Sequence, residues 1–190
     1  MKLSVPFIPD PGYADFLAQH VSALASIYFP LDTETVMDAR VRSAISSHAD
    51  TGETDRLNAL LKSLRPVDKY VLANTRFVHP DLYSNPVKTG AFLNRIAQMD
   101  DATGIKGIVV ADAYLVNALD QTAHHIIPKL SIIPGVNSMI DSREKFLAWM
   151  DLIHGTRFKL PDRLIPDRSL NRDLNRLETL AREVRRTLPG

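Results

Sequence analysis

The chain has 190 residues, of which 45% are hydrophobic and 24% are charged, with a formal net charge of +1 and no cysteine. This length suits one core, so we expect a single domain over residues 1–190. The near-neutral charge gives no strong indication of a nucleic-acid partner, and the absence of cysteine excludes disulfides and cysteine-held metal sites. The sequence contains no signal peptide and no long apolar run, which predicts a cytoplasmic protein with no membrane partner.

Short apolar segments alternate with helix-like stretches along the whole chain. Strands are predicted at 3–8, 25–29, 70–73, 105–111, 130–133 and 158–160. Helices with apolar residues at helical spacing are predicted at 13–24, 33–45, 53–64, 91–99, 114–123, 142–154 and 170–188. Such alternation predicts a parallel sheet built from right-handed βαβ units.

Two connections carry further information. Segment 74–90 is rich in Pro, Asn and His and is predicted to be a long irregular loop, a type of segment that is often functional. The last helix has an apolar stripe with spacings of three and four residues, formed by Leu170, Leu174, Leu177, Ala181, Val184 and Leu188. The stripe is too short for a typical coiled coil, so we expect it to pack on the sheet.

Two architectures fit this order of elements, an open doubly wound sheet and a (β/α) barrel. The dinucleotide-binding form of the open sheet has a Gly-x-Gly-x-x-Gly turn after its first strand. Here that turn reads Pro9-Asp10-Pro11-Gly12, and no Walker-type phosphate loop occurs elsewhere. We therefore predict an α/β fold, an incomplete TIM-type barrel with about six parallel strands, which lacks the last two βα units.

Two residues are candidates for acid–base catalysis. The active site of a (β/α) barrel lies at the carboxyl ends of its strands. Asp112 directly follows the most apolar predicted strand, and His79 lies in the long loop, where an imidazole can exchange protons near neutral pH. A structural alternative exists for each, since Asp112 can cap the following helix and His79 can simply pack its ring in the loop.

Other polar residues after the strands are candidates for binding a substrate. They are Asn74 and Arg76 after the third strand, and Asn137 and Ser138 after the fifth. Arg76 has the fork geometry that clamps a carboxylate or phosphate. No metal site is predicted, because the neighbouring residues His124 and His125 point in different directions on a helix or strand.

Four segments resemble, in order and character, the peptidase U32 family of barrel proteins. They are YVLANTRF (70–77), GIVVADAYL (107–115), VNSMI (136–140) and LNRDL (170–174). The resemblance implies a barrel with Asn74, Asp112, Asn137 and Asn171 lining its site. It also implies oxygen-independent hydroxylation of RNA bases or of a ubiquinone precursor ring, with an iron–sulfur cluster held by four cysteines. In the family those cysteines follow the seventh strand, and this chain has none, so we predict no cofactor within it.

Three functional hypotheses follow. The first is the N-terminal scaffold and pocket part of a U32-like enzyme without its iron–sulfur segment. The second is a non-catalytic accessory or binding protein, which completes its barrel at the sixth-strand edge with a second copy or another chain. The third is a small hydrolase or lyase, which uses Asp112 and His79 without a metal. A small-molecule ligand is expected at the strand ends in the first and third hypotheses.

Overall fold

The computed structural model describes residues 2–31, 51–75 and 78–188, which form an α/β fold around one parallel sheet. The strands are β1 (Leu3–Pro6), β2 (Leu24–Pro30), β3 (Asp68–Ala73), β4 (Gly107–Val110) and β5 (Ser131–Pro134). Their order across the sheet, β1-β2-β3-β4-β5, is the same as along the chain, and each neighbouring pair is parallel. A doubly wound sheet reverses its strand order at a switch point, whereas a barrel adds each strand beside the preceding one. The topology is consistent with a partial barrel.

The prediction of a sixth strand at 158–160 is wrong, because only Lys159 joins the sheet. The N–H of Lys159 donates to the carbonyl of Leu130 at 2.9 Å, and its carbonyl accepts from the N–H of Ile132 at 3.2 Å. Pro161 follows two residues later and has no N–H to continue a hydrogen-bonded ladder. The sheet within the described ranges therefore has five strands, not six.

Seven α-helices accompany the strands in the described part of the chain. They are α1 (Pro11–Gln19), α2 (Thr51–Ser63), α3 (Asp81–Ser84), α4 (Pro86–Thr103), α5 (Ala113–Gln121), α6 (Arg143–His154) and α7 (Leu174–Thr187). None of these helices is both long enough and apolar enough to cross a lipid bilayer. The helix predicted at 33–45 lies outside the described residues.

The long loop predicted at 74–90 is largely helical. It contains α3 and the first turn of α4, which Asn85 caps by accepting a hydrogen bond from the N–H of Val87 at 3.0 Å. Pro86 occupies the first position of α4. Asn and Pro are common in turns, but they are also favoured at the cap and the first residue of a helix. The composition that suggested a loop therefore marks the start of a helix.

The two faces of the sheet have different partners, because successive side chains of a strand point to opposite sides. The outer face belongs to the main hydrophobic core beneath the helices and includes Ile27, Phe29, Val71, Ile108, Val110 and Ile132. The opposite face, called the inner face below, carries a separate cluster of Tyr70, Leu72, Val109 and Ile133, with Tyr28 packed against it. In a barrel this second face lines the interior.

Lys69 is an unusual member of the outer face, because its side chain is fully buried. Its Nζ atom donates to the backbone carbonyls of Leu64 and Val67, both at 2.9 Å. These carbonyls follow the C-terminal end of α2, where helix geometry leaves acceptors without partners. Burial lowers the pKa of the Lys69 ammonium from 10.5 to about 8. The lysine thus links the end of α2 to strand β3.

The last helix begins later than predicted. Asp173 caps α7 by accepting from the N–H of Arg176 at 3.1 Å, and the preceding residues form a separate 3-10 turn, Arg168–Arg172. Leu180, which the predicted stripe omitted, is buried, whereas Leu174 is 72% exposed. Leu170 and Leu188 are also buried, and Leu177 and Val184 pack against the core, so the predicted stripe faces the core except at Leu174.

Candidate functional site

The carboxyl ends of three neighbouring strands are joined by the turn that follows β5. Asn137 lies in the 3-10 turn Val136–Ser138, and its Nδ2 donates to the backbone carbonyl of Asn74, just after β3, at 2.7 Å. Ser138 Oγ donates to the carbonyl of Val110, the last residue of β4, at 3.0 Å. Three of the predicted binding residues therefore come together in one polar group at the strand ends.

The side chain of Asn74 has an acceptor without a partner. Asn74 is two residues beyond Leu72 and so belongs to the inner face. Its Oδ1 is buried and makes no hydrogen bond within the described residues. The amide packs against Gly135, where a Cβ atom would overlap Oδ1 and would lie 2.9 Å from Cγ1 of Val109. An unpaired buried acceptor costs about 1–3 kcal/mol, a penalty that a ligand donor would relieve.

The carboxylate of Asp112 caps one helix and accepts a hydrogen bond from another. Its Oδ1 accepts from the backbone N–H groups of Tyr114 at 2.8 Å and Leu115 at 3.3 Å, which caps α5. Its Oδ2 accepts from the hydroxyl of Tyr83 on α3. Burial and the hydrogen bond to this carboxylate raise the pKa of the Tyr83 phenol to about 12. Both carboxylate oxygens thus already have donors, as the capping alternative predicts.

His79 is separate from Asp112. Its side chain is 67% exposed, its Nδ1 lies 3.7 Å from Oδ1 of Asp81, and the same nitrogen accepts from the N–H of Asp81 at 3.3 Å. Within the described residues, no hydrogen bond or ion pair joins His79 to Asp112. Their roles as acid and base stay a prediction, without a direct contact to support it.

Of the two other predicted binding residues, only Asn171 is described, and it does not join the polar group at the strand ends. Asn171 is exposed in the 3-10 turn Arg168–Arg172, and no hydrogen bond to Asn74 or Asn137 is present in the described ranges. Arg76 lies outside the described residues. The group that the structure assembles therefore consists of neutral amides and a hydroxyl.

A second polar cluster lies on the inner face, toward the amino ends of the strands. The Nη1 of Arg163 donates to Ser26 Oγ at 2.8 Å, and its guanidinium lies 4.7 Å from the centre of the Tyr70 ring. The Tyr70 hydroxyl donates to Oδ2 of Asp162 at 3.0 Å. The sequence predicts Asp162 and Arg163 to lie at the carboxyl end of a sixth strand, but the chain instead turns back across the sheet after Lys159.

Two further charges complete this cluster. Lys106 Nζ lies 2.7 Å from Oδ2 of Asp68 and 3.0 Å from Oδ2 of Asp162. Burial disfavours the charge on Asp162, but the hydrogen bonds from Arg163 and Lys106 outweigh it and lower the pKa of that carboxyl to about 2. Burial raises the pKa of the Tyr70 phenol above its usual value. In the sequence, the cluster is indicated only by Lys106, a charged residue near the start of the otherwise apolar segment 105–111.

The described residues offer no cluster suited to a metal. No group of three His, Asp or Glu side chains within them is arranged to hold an ion. The rings of His124 and His125 stack with their centres 4.4 Å apart, and Nε2 of His124 lies 2.9 Å from Oδ1 of Asn94. A thiolate-held iron–sulfur cluster does not fit this chain, because the sequence contains no cysteine.

Comparison with known proteins identifies the fold. Neither a protein-family model nor a curated protein sequence matches the chain. Its structure is similar to that of the U32 peptidase Mk0906, with a TM-score of 0.63 and 16% sequence identity. The similarity covers 97% of this chain and 66% of the length of the peptidase chain. The chain has a U32-like fold, and at this identity the similarity extends to the fold alone.

Proposed function

We propose that the chain is the scaffold and pocket part of a U32-like barrel and binds a small polar molecule at the carboxyl ends of β3, β4 and β5. The observation that carries this proposal is the buried Oδ1 of Asn74, an acceptor without a partner among the described residues. It lies in the region where (β/α) barrels bind their substrates. Asn137 and Ser138 lie at the same strand ends, where they donate to the backbone carbonyls of Asn74 and Val110.

The chemistry of this pocket favours a neutral ligand with an N–H or O–H donor. Asn74, Asn137 and Ser138 carry no charge, and Asp112 is already paired with Tyr83 and with the start of α5. Leu72, Val109 and Ile133 form an apolar surface on the same inner face. A flat ring with one or two donors matches such a combination. The ring substrates implied by the resemblance, RNA bases and a ubiquinone precursor, belong to this class.

Redox chemistry in this proposal comes from outside the chain. The iron–sulfur cluster implied by the resemblance needs cysteine thiolates, and the chain supplies none. The residues of the pocket bind and orient the ring, and rotation of the Asn74 side chain away from Gly135 lets the buried Oδ1 accept the ring's donor. A cysteine-bearing segment outside these 190 residues would hold the cluster.

Calorimetric titration of the purified protein tests the pocket, with uridine and phenol as neutral probes of the two ring classes. We expect at least one probe to bind, and Asn74→Ala to weaken binding about tenfold, the effect of losing one hydrogen bond to a buried acceptor. The matched control is Asn175→Ala, which removes an exposed amide from α7. Lack of binding by both probes, or equal affinity in wild type and Asn74→Ala, would refute the proposed pocket.

The second candidate is an accessory protein that completes its sheet with another chain. Within the described residues β1 pairs only with β2, and Leu3 and Ile8 beside this free edge are 48% and 62% exposed. Exposed strand edges are usually covered in native proteins. Light scattering after gel filtration should then give twice the monomer mass, and Ile8→Lys should restore the monomer. A monomer at all concentrations would exclude pairing between identical copies.

A further inference from the structure

The segment after Lys159 crosses the inner face instead of extending the sheet. Arg163 contacts both of the first two strands, since its Nη1 lies 2.8 Å from Ser26 Oγ on β2 and 3.4 Å from Ser4 Oγ on β1. The two serines also bond to each other at 2.8 Å. Within the described residues, side-chain contacts thus connect the segment after Lys159 to the first strand of the sheet.

The third strand is held by the same segment. Asp162 accepts from the Tyr70 hydroxyl, and the Arg163 guanidinium lies over the Tyr70 ring and 3.5 Å from Oδ2 of Asp68. Lys106, directly before β4, bridges the two carboxylates. The positive charges of Arg163 and Lys106 therefore neutralise the negative charges of Asp162 and Asp68 on the amino-end half of the inner face.

We propose that Asp162 and Arg163 form a reversible latch, which closes the amino-end half of the inner face and holds the edge strand β1 in place. Since β1 has only β2 as a strand partner in the described chain, the contacts of Arg163 give it a second support. This inference does not depend on the ligand proposed above.

The charged side chains of the latch are partly exposed to solvent, and for this reason their pairing is reversible. The side chains of Arg163, Asp162, Asp68 and Lys106 are 28%, 32%, 37% and 43% exposed. Water and ions reach partly exposed charges, so their pairing is weaker than that of buried pairs and decreases with salt. Opening would loosen β1 and uncover Tyr70, whereas the core contacts of strands β2 to β5 lie on the other face of the sheet and would stay in place.

Acid should also open the latch. Asp162 faces Arg163 on its own segment, Tyr70 and Asp68 on β3, and Lys106 before β4. Burial disfavours the Asp162 charge, but the hydrogen bonds from Arg163, Lys106 and Tyr70 outweigh it and lower the pKa in the folded protein, so the stabilisation by Asp162 is complete above the ordinary Asp pKa of about 4. It should be lost as the pH falls toward about 2, and Asp162→Asn should remove this part of the acid response.

Hydrogen exchange followed by mass spectrometry tests the latch in the whole protein. Arg163→Met should speed exchange of the peptide that contains β1 by about fivefold or more, while peptides from β4 and β5 change little. Arg157→Met is the matched control, because Arg157 pairs with Asp120 at 3.1 Å away from the inner face. A uniform increase in all peptides, or an equal effect of both substitutions at β1, would overturn the proposal.

The wild-type protein provides a second measurement if Arg163→Met does not fold. Raising the salt concentration from about 0.05 M to about 1 M shortens the Debye length to about 3 Å and should selectively speed exchange at β1. Arg163→Lys should give an intermediate rate, because it keeps the charge but loses the planar fork. Exchange at β1 that does not respond to salt, in a protein that is otherwise folded, would contradict a reversible ionic latch.

Discussion

Gly135 has no side chain because the amide of Asn74 occupies the space where one would lie. The backbone dihedrals of Gly135, φ −82° and ψ 174°, suit any residue, so Gly135→Ala changes packing without straining the backbone. The added Cβ would overlap Oδ1 of Asn74 and lie 2.9 Å from both Cγ of Asn74 and Cγ1 of Val109. Overpacking of this kind costs about 1–3 kcal/mol.

The assay is urea unfolding of four proteins: wild type, Gly135→Ala, Asn74→Ala and the double variant. Gly135→Ala should lower the free energy of unfolding by about 1–3 kcal/mol, with a decrease in Tm of about 2–4 °C per kcal/mol. Asn74→Ala removes the unpaired oxygen and the overlap of the added Cβ with the amide, although the close contact with Val109 remains. The double variant should therefore recover at least about 1 kcal/mol of the loss.

A matched glycine provides the control. An added Cβ at Gly90, inside α4, meets no atom within 4 Å. Gly90→Ala should therefore stabilise the protein by about 0.5–1 kcal/mol, the usual gain inside a helix. If Gly135→Ala were neutral, or if its cost were the same with Ala at position 74, the packing of Asn74 against Gly135 would be refuted.

Two further predictions concern single side chains. Burial lowers the pKa of the Lys69 ammonium from 10.5 to about 8. Between pH 8 and pH 10.5, Lys69 is therefore protonated in the unfolded chain but mostly neutral in the folded protein. Stability should then rise by at most about 3 kcal/mol as the pH increases across this range, a rise that should disappear in urea titrations of Lys69→Met. Asp112→Ala should lower stability by about 1–2 kcal/mol through loss of the α5 cap, measured by thermal unfolding. Tyr83→Phe, which keeps the cap, should cost less, and equal costs would contradict the capping role.

The sequence was most informative where local pattern and tertiary structure agree. Each of the five strands overlaps a predicted apolar run, and the agreement has its clearest reason in β4 and β5, because a parallel strand buried on both faces needs apolar residues throughout. The predicted sixth strand at 158–160 does not form, because Pro161 follows it closely and ends the hydrogen-bonded ladder after the single bridge between Lys159 and Ser131. The Asn85-Pro86 pair was misread because the same residues favour turns and helix starts.

The candidate site could be predicted only in part. Asn74, Asn137 and Ser138 follow strands, and the carboxyl ends of parallel strands meet at one edge of a sheet. The packing of Asn74 against Gly135 depends on distances between strands that are not neighbours, which no local pattern encodes. The latch was missed for a similar reason, because the direction of a chain after its last bridge depends on the partners it finds across the sheet.

The sequential strand order has a consequence for folding. Among the described strands, none inserts between two earlier ones, so each of these strands can dock on the sheet as soon as it is synthesised. The contact between Ser4 and Arg163 is different, because it joins residues 159 positions apart. Closing such a long loop carries a large entropic cost. We therefore expect the sheet to grow from its N-terminal strand onward, and the contact between its two ends to form last.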